Sequence, residues 1–226
     1  TRIWAARPDV VHFHWLHPYF SGRTPLHSVA ALALFLLQWP FLRLHRAKIL
    51  WTVHNLQNHE QKMPTAERFV QGLVAHHASA VIVHCPQAAV QFCRAYPAIP
   101  LDKVTEVPHG SYVGVYPEGI SRQQAREQLT LPTNACVVLL FGEIRGYKGI
   151  HELLSVFQGL TPPENTVLMI AGRVHDEQLR QQLETAARGA PNIRLRLGFV
   201  PDDEIQVLMA ATDAVVAPFR KVLTSG

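Results

Sequence analysis

Residues 139–150, LLFGEIRGYKGI, hold the chain's most informative chemistry. An apolar run of strand length ends at Phe141. A loop follows with Gly142, Gly146 and Gly149, two cations, Arg145 and Lys148, and the start of a helix near Lys148. Ligands of open α/β sheets bind beyond the carboxyl ends of the strands. Glycines let the backbone approach a phosphate, and a helix N-terminus favours an anion. Arginine grips phosphate oxygens in a fork, while lysine acts as a point charge. The loop therefore suits a diphosphate held by Gly142, Arg145 and Lys148. It matches neither of the common glycine-rich phosphate fingerprints, so a solvated basic turn stands as the plain alternative.

Histidines close several other apolar runs. In residues 50–60, LWTVHNLQNHE, His54 stands at a strand end, and Asn55, Asn58, His59 and Glu60 follow in a polar loop. A hydroxyl-bearing ligand needs hydrogen-bonding groups and a proton acceptor, and histidine provides both near neutral pH. A histidine that merely caps a strand end is the alternative. In VVHFHWLHP, His12 and His14 share one strand face by the two-residue period, and His17 follows. Three histidines raise a metal site, but the nearby carboxylate, Asp9, lies at the other end of the strand and on the opposite face. No metal is expected, and lining of an acceptor site by His14 is the preferred reading. His109, between Pro108 and Gly110, is either a third lining residue or part of a plain turn. His84, His76 and His77 read as structural, the last two at a helix C-terminus where the dipole favours histidine.

These positions need a scaffold. The 226 residues suffice for one large or two modest domains, and 48% hydrophobic against 17% charged residues argues for a folded core. A net charge of +4 fits an anionic partner without choosing one. Cys85, Cys93 and Cys136 have no zinc or redox spacing, and their odd number argues against a disulfide framework, so a cytoplasmic setting is expected. The chain begins at Thr1 and ends at Gly226, and both ends read as cut.

Near-continuous apolar runs predict strands at 10–15, 49–53, 80–84, 104–107, 136–141, 167–171, 193–197 and 214–217. Helices are expected at 65–77, 86–96, 121–129, 150–159, 176–188 and 202–211. Such alternation predicts parallel, doubly wound sheets of Rossmann type, an α/β fold. The Pro- and Gly-rich stretch 108–134 breaks the alternation and reads as a connection, giving domains at 1–118 and 119–226, both incomplete. Residues 26–44 are strongly apolar, interrupted by Gln38 and Pro40. They read either as a buried helix or, with the basic residues up to Lys48, as a peripheral membrane contact over 26–48.

In order along the chain, DVVHFHW, TVHN, VIVHCPQAAVQF, KVTEVPHGSY, LLFGEIRGYKGIHELLSVF, VLMIAG and IRLRLGFVPDDEIQVLMAATDAVVAPF resemble the GT-B glycosyltransferases, specifically the family-four-like, group 1 bacterial enzymes of the mannosyltransferase and exopolysaccharide type. The resemblance covers nearly the whole chain. It implies two Rossmann-like domains around a cleft and transfer of a sugar from a nucleotide-diphosphate donor, a GDP- or UDP-sugar, to a glycan or lipid-linked acceptor in cell-surface polysaccharide synthesis. The setting would be the cytoplasm, at the inner face of the plasma membrane. It implies donor-phosphate contacts at Arg145, Lys148 and Gly142, a catalytic histidine at His54, and acceptor contacts at His14, Asn55 and His109. No metal cofactor and no nucleic-acid partner are expected.

The chain departs from the pattern where Glu143 follows Gly142, since many members have arginine there. The family's paired glutamates are missing from the RKVLTSG end, and its first glycine-rich loop would precede Thr1. A non-catalytic GT-B-like nucleotide- or glycan-binding module is the alternative. An epimerase or phosphorylase on the same fold is a further one.

Overall fold

The computed structural model describes residues 8–56, 63–116, 119–159 and 165–219, apart from the side chain of residue 43. The chain forms two compact units, the first reaching Gly110 and the second beginning at Ser111. The expected boundary after 118 falls outside the described residues, as do Asn58, His59, Glu60 and the RKVLTSG end.

In the first unit, β1 (Val10–Phe13), β2 (Lys48–Thr52), β3 (Ala80–Val83) and β4 (Val104–Glu106) form a parallel sheet in chain order. Their alternating buried side chains, among them Phe13, Ile49, Trp51, Val81 and Val83, meet Val70, Val74, Ala88 and Phe92 in one core. The last four come from α2 (Pro64–His77) and α3 (Pro86–Ala95). Both helices start on proline, whose fixed φ and missing N–H suit a first turn.

The first strand is shorter than the expected 10–15. His14 and Trp15 leave the sheet, and the chain turns through a short 3-10 segment, His17–Tyr19. Helix α1 (Pro25–Leu44) is one continuous helix through Pro40. The buried-helix reading of this segment is corrected by the structure. Ser28, Phe35, Trp39 and Leu42 are buried, but Leu26, Val29, Leu34, Leu37, Phe41 and Leu44 are exposed. One face of α1 completes the core through Phe35 against Phe13, while its other apolar face is left uncovered by the described residues.

In the second unit, β5 (Cys136–Phe141), β6 (Thr166–Gly172), β7 (Ile193–Leu197) and β8 (Ala214–Val215) are also parallel, in the order β7-β6-β5-β8. Succession runs from β5 outward to β7, then returns to the other side of β5. The reversal makes a topological switch point between β5 and β8, the place where open α/β sheets bind ligands. Helix α4 (Arg122–Gln128) begins with a reciprocal capping box between Ser121 and Gln124. Helices α5 (Ile150–Gly159), α6 (Glu177–Gly189) and α7 (Asp202–Ala211) complete the unit. Leu139, Val167, Met169 and Leu208 pack on one side of the sheet, and Leu140, Leu168, Ile170 and Leu183 on the other.

Arg126, 4% exposed, ties α4 to β8. Its Nε donates to the carbonyl of Ala211 at 3.1 Å, and one NH2 group pairs with Asp213 Oδ2 at 2.6 Å. The same carboxylate oxygen accepts from the Val137 N–H at 2.7 Å, and Arg122 pairs with the other oxygen. The buried charge is therefore paired and hydrogen-bonded, as burial requires.

Candidate functional site

At the carboxyl edge of the first sheet, the histidines form a row in strand order. His12, on β1, is joined to Thr52 Oγ1 on β2 at 2.8 Å. His14 Nδ1 lies 3.1 Å from His54 Nε2, just after β2. The His54 ring centroid is 5.3 Å from that of His84, after β3, and His84 stacks on His109, after β4, at 3.9 Å. The row exists because parallel strands in register place equivalent loop positions side by side. His14, His54 and His109 thus come together, with the half-buried Asn55 following His54.

His84, read from the sequence as structural, belongs to this row. Its Nδ1–H donates to the carbonyl of Val107 at 2.8 Å, which leaves Nε2 as the acceptor; that nitrogen is buried and has no hydrogen-bond partner among the described residues. Trp15, which sequence reasoning did not single out, lies nearly parallel to His54, with centroids 4.4 Å apart and planes at 16°.

Burial is the largest cause that lowers the His54 pKa to about 4, and repulsion from His84, His14, His109 and His12 adds to it. His12 is lowered in the same direction, by burial and then by His14. At neutral pH His54 is therefore an uncharged hydrogen-bonding group. Among the described residues, no group of three His, Cys, Asp or Glu side chains is arranged to hold a metal ion.

The second cluster stands at the switch point of the other sheet. Gly142 has φ of 109°, and a Cβ there would meet nothing within 4 Å, so the backbone lies open. Its N–H donates to the carbonyl of Ala171 at 3.0 Å. Ile144 bridges to Val174 and anchors the loop on the neighbouring strand end. Arg145 precedes a 3-10 turn, Gly146–Lys148, that ends on Gly149 in the left-handed region at φ 75°.

Lys148 Nζ lies 5.2 Å from the centre of the Phe219 ring, beyond β8. The Lys148 pKa is lowered from the ordinary lysine value, chiefly by burial; Glu143 opposes the shift and Arg145 adds to it. Glu143, where the sequence departs from the family pattern, is paired with His175 after β6. A Cβ on Gly172 would lie 1.8 Å from the Gly142 carbonyl oxygen, so the close approach of the β5 and β6 ends demands glycine. Phe219 and His175 carried no signal at the sequence level, since only strand order brings them to this loop.

Residues 121–221 match the family model described as Glycosyl transferases group 1. Two curated relatives, each named GDP-mannose:glycolipid 4-beta-D-mannosyltransferase from Xanthomonas campestris pv. campestris, are 26% identical over 228 residues. The match covers 98% of this chain and 58% of each relative. Among solved structures, Anabaena Alr3699/HepE in complex with UDP superposes with a TM-score of 0.67 at 20% identity, covering 87% of this chain and 53% of that one. WaaG, a glycosyltransferase involved in lipopolysaccharide biosynthesis, gives a TM-score of 0.62 at 16% identity over 89% of this chain and 60% of that one. These structures share the arrangement of two parallel-sheet α/β domains. The second unit thus matches the group 1 glycosyltransferase family model, the curated relatives resemble the chain along its length, and its two parallel-sheet α/β units have the GT-B fold of the solved structures.

Proposed function

We propose that the protein carrying this chain transfers a sugar from a nucleoside-diphosphate donor to a lipid-linked glycan. The observation that carries this reading is the loop after β5: Arg145 and Lys148 follow the open backbone of Gly142 at a topological switch point, ahead of α5. A diphosphate there gains two cations and a helix N-terminus. As the sugar bond breaks, negative charge grows on the leaving diphosphate, and these fixed groups stabilise it in place of a divalent cation. The relatives named for GDP-mannose and the HepE complexes with UDP and UDP-glucose support a GDP- or UDP-sugar.

The acceptor is assigned to the histidine row of the first unit. His54 and His14 act as a hydrogen-bonded pair that takes up the acceptor hydroxyl proton. Asn55 and His109 bond the acceptor's other hydroxyls. The name of the curated relatives supports a glycolipid acceptor. The uncovered apolar face of α1, followed by His45, Arg46 and Lys48, supports peripheral contact with an anionic membrane, at the cytoplasmic face where nucleotide sugars are found.

The test is to incubate the full-length protein with GDP-mannose or UDP-glucose and a lipid-linked glycan extract and follow release of the nucleoside diphosphate. Release that is lost in His54→Ala and in Arg145→Ala supports the reading. No release from either donor, or release unaltered in both variants, ends it.

A further inference from the structure

We infer that Trp15 is the platform on which a saturated sugar ring of the acceptor stacks. The inference rests on the acceptor assignment above and extends it to the ligand's chemistry. Trp15 is 49% exposed, whereas Trp39 and Trp51 are 8% and 2% exposed. The core does not need it: Phe13 and Leu16, on either side of His14 and Trp15, already point inward and are buried. An aromatic side chain of this size left open at a strand end is either idle or used.

The geometry favours use. The 16° stack on His54 fixes the indole plane at 4.4 Å and covers one ring face, so its exposure belongs to the rest of the indole. His54 is itself held by His14 and by the row beyond it. The platform is therefore rigid, and little side-chain freedom remains to be lost on binding.

An aromatic face is electron-rich and attracts the weakly positive axial C–H bonds on the flat side of a pyranose. The ring's hydroxyls, which radiate from its edge, need polar partners. The exposed His12 and His14 rings stand beside Trp15 along the same sheet edge and supply them. The site thus offers both things that a sugar ring requires, an apolar plate and a polar border. A nucleobase would also stack on indole, and the experiment separates the two.

The probe is methyl β-cellobioside, titrated into the full-length protein and followed by saturation-transfer NMR on its ring C–H protons. Saturation transfer is expected in the wild type, weaker in Trp15→Phe and weakest in Trp15→Ala. The apparent affinity should fall about threefold to tenfold on removal of the aromatic ring. Equal transfer in wild type and Trp15→Ala, or none in the wild type, overturns the inference. So does quenching of Trp15 by GDP or UDP that the glycoside does not reproduce. Parallel calorimetry with GDP and UDP reads the donor loop alone. Failure there with the sugar stack intact defeats the functional reading, and the converse defeats only Trp15.

Discussion

A Cβ on Gly149 would stand 2.1 Å from the carbonyl oxygen of Pro218, so the loop after β5 meets the segment after β8 through a residue that must be glycine. The contact is what holds Lys148 beside Phe219. Gly149→Ala adds left-handed strain to a backbone collision. We expect it to cost about 2 kcal/mol or more and to weaken nucleoside-diphosphate binding beyond that loss. Thermal unfolding and nucleotide titration of the variant measure the two effects separately.

The histidine row makes stability depend on acidity. The folded pKa of His54, about 4, lies below its ordinary 6.5, so the unfolded chain binds more protons between those values. Its contribution to stability is whole above pH 6.5 and is lost as pH falls towards 4. His12 acts in the same sense. Unfolding midpoints measured from pH 7.5 down to 4.5 should fall for the wild type and fall less steeply for His54→Gln. Parallel slopes for the two proteins would refute the assignment.

Arg126 is predicted to matter for folding and not for chemistry. Arg126→Met removes one partner of Asp213, which keeps Arg122 and the Val137 N–H, and should cost about 1–2 kcal/mol, read as a lower denaturation midpoint. Nucleotide affinity measured well below that midpoint should be unchanged.

The open face of α1 gives a membrane prediction. Replacing Leu34, Leu37 and Phe41 by serine removes apolar surface that packs on nothing in the unit. Co-sedimentation with phosphatidylglycerol vesicles should weaken by at least about tenfold, while the unfolding midpoint stays close to that of the wild type. Binding to vesicles that is indifferent to these changes would exclude α1 as the contact.

The fold was largely legible because parallel strands covered on both faces write themselves as apolar runs. The stretch CVVLLF is strand Cys136–Phe141, and IRLRL is strand Ile193–Leu197, as expected from their sequences. Strand ends were less legible: His14 and Trp15 continue an alternating pattern but leave the sheet after Phe13. Helix α1 misled for a related reason, since composition records how apolar a helix is and not which face finds a partner.

For the sites, residue types at strand ends pointed to His14, His54, Arg145 and Lys148. What escaped was everything set by strand order. His84 joins His54 only because β3 lies beside β2, and Phe219 reaches Lys148 only because β8 returns beside β5. Pairings between residues this far apart in the chain leave no local pattern to read.

The cationic loop after β5 is tested most directly by calorimetric titration of GDP and UDP into the full-length protein, its Arg145→Ala variant and its Lys148→Ala variant. We predict binding of at least one nucleotide by the wild type, weakened at least about tenfold by each substitution, the loss expected for a hydrogen bond to a charged group. Absence of binding to either nucleotide, or affinities unchanged in both variants, would contradict it.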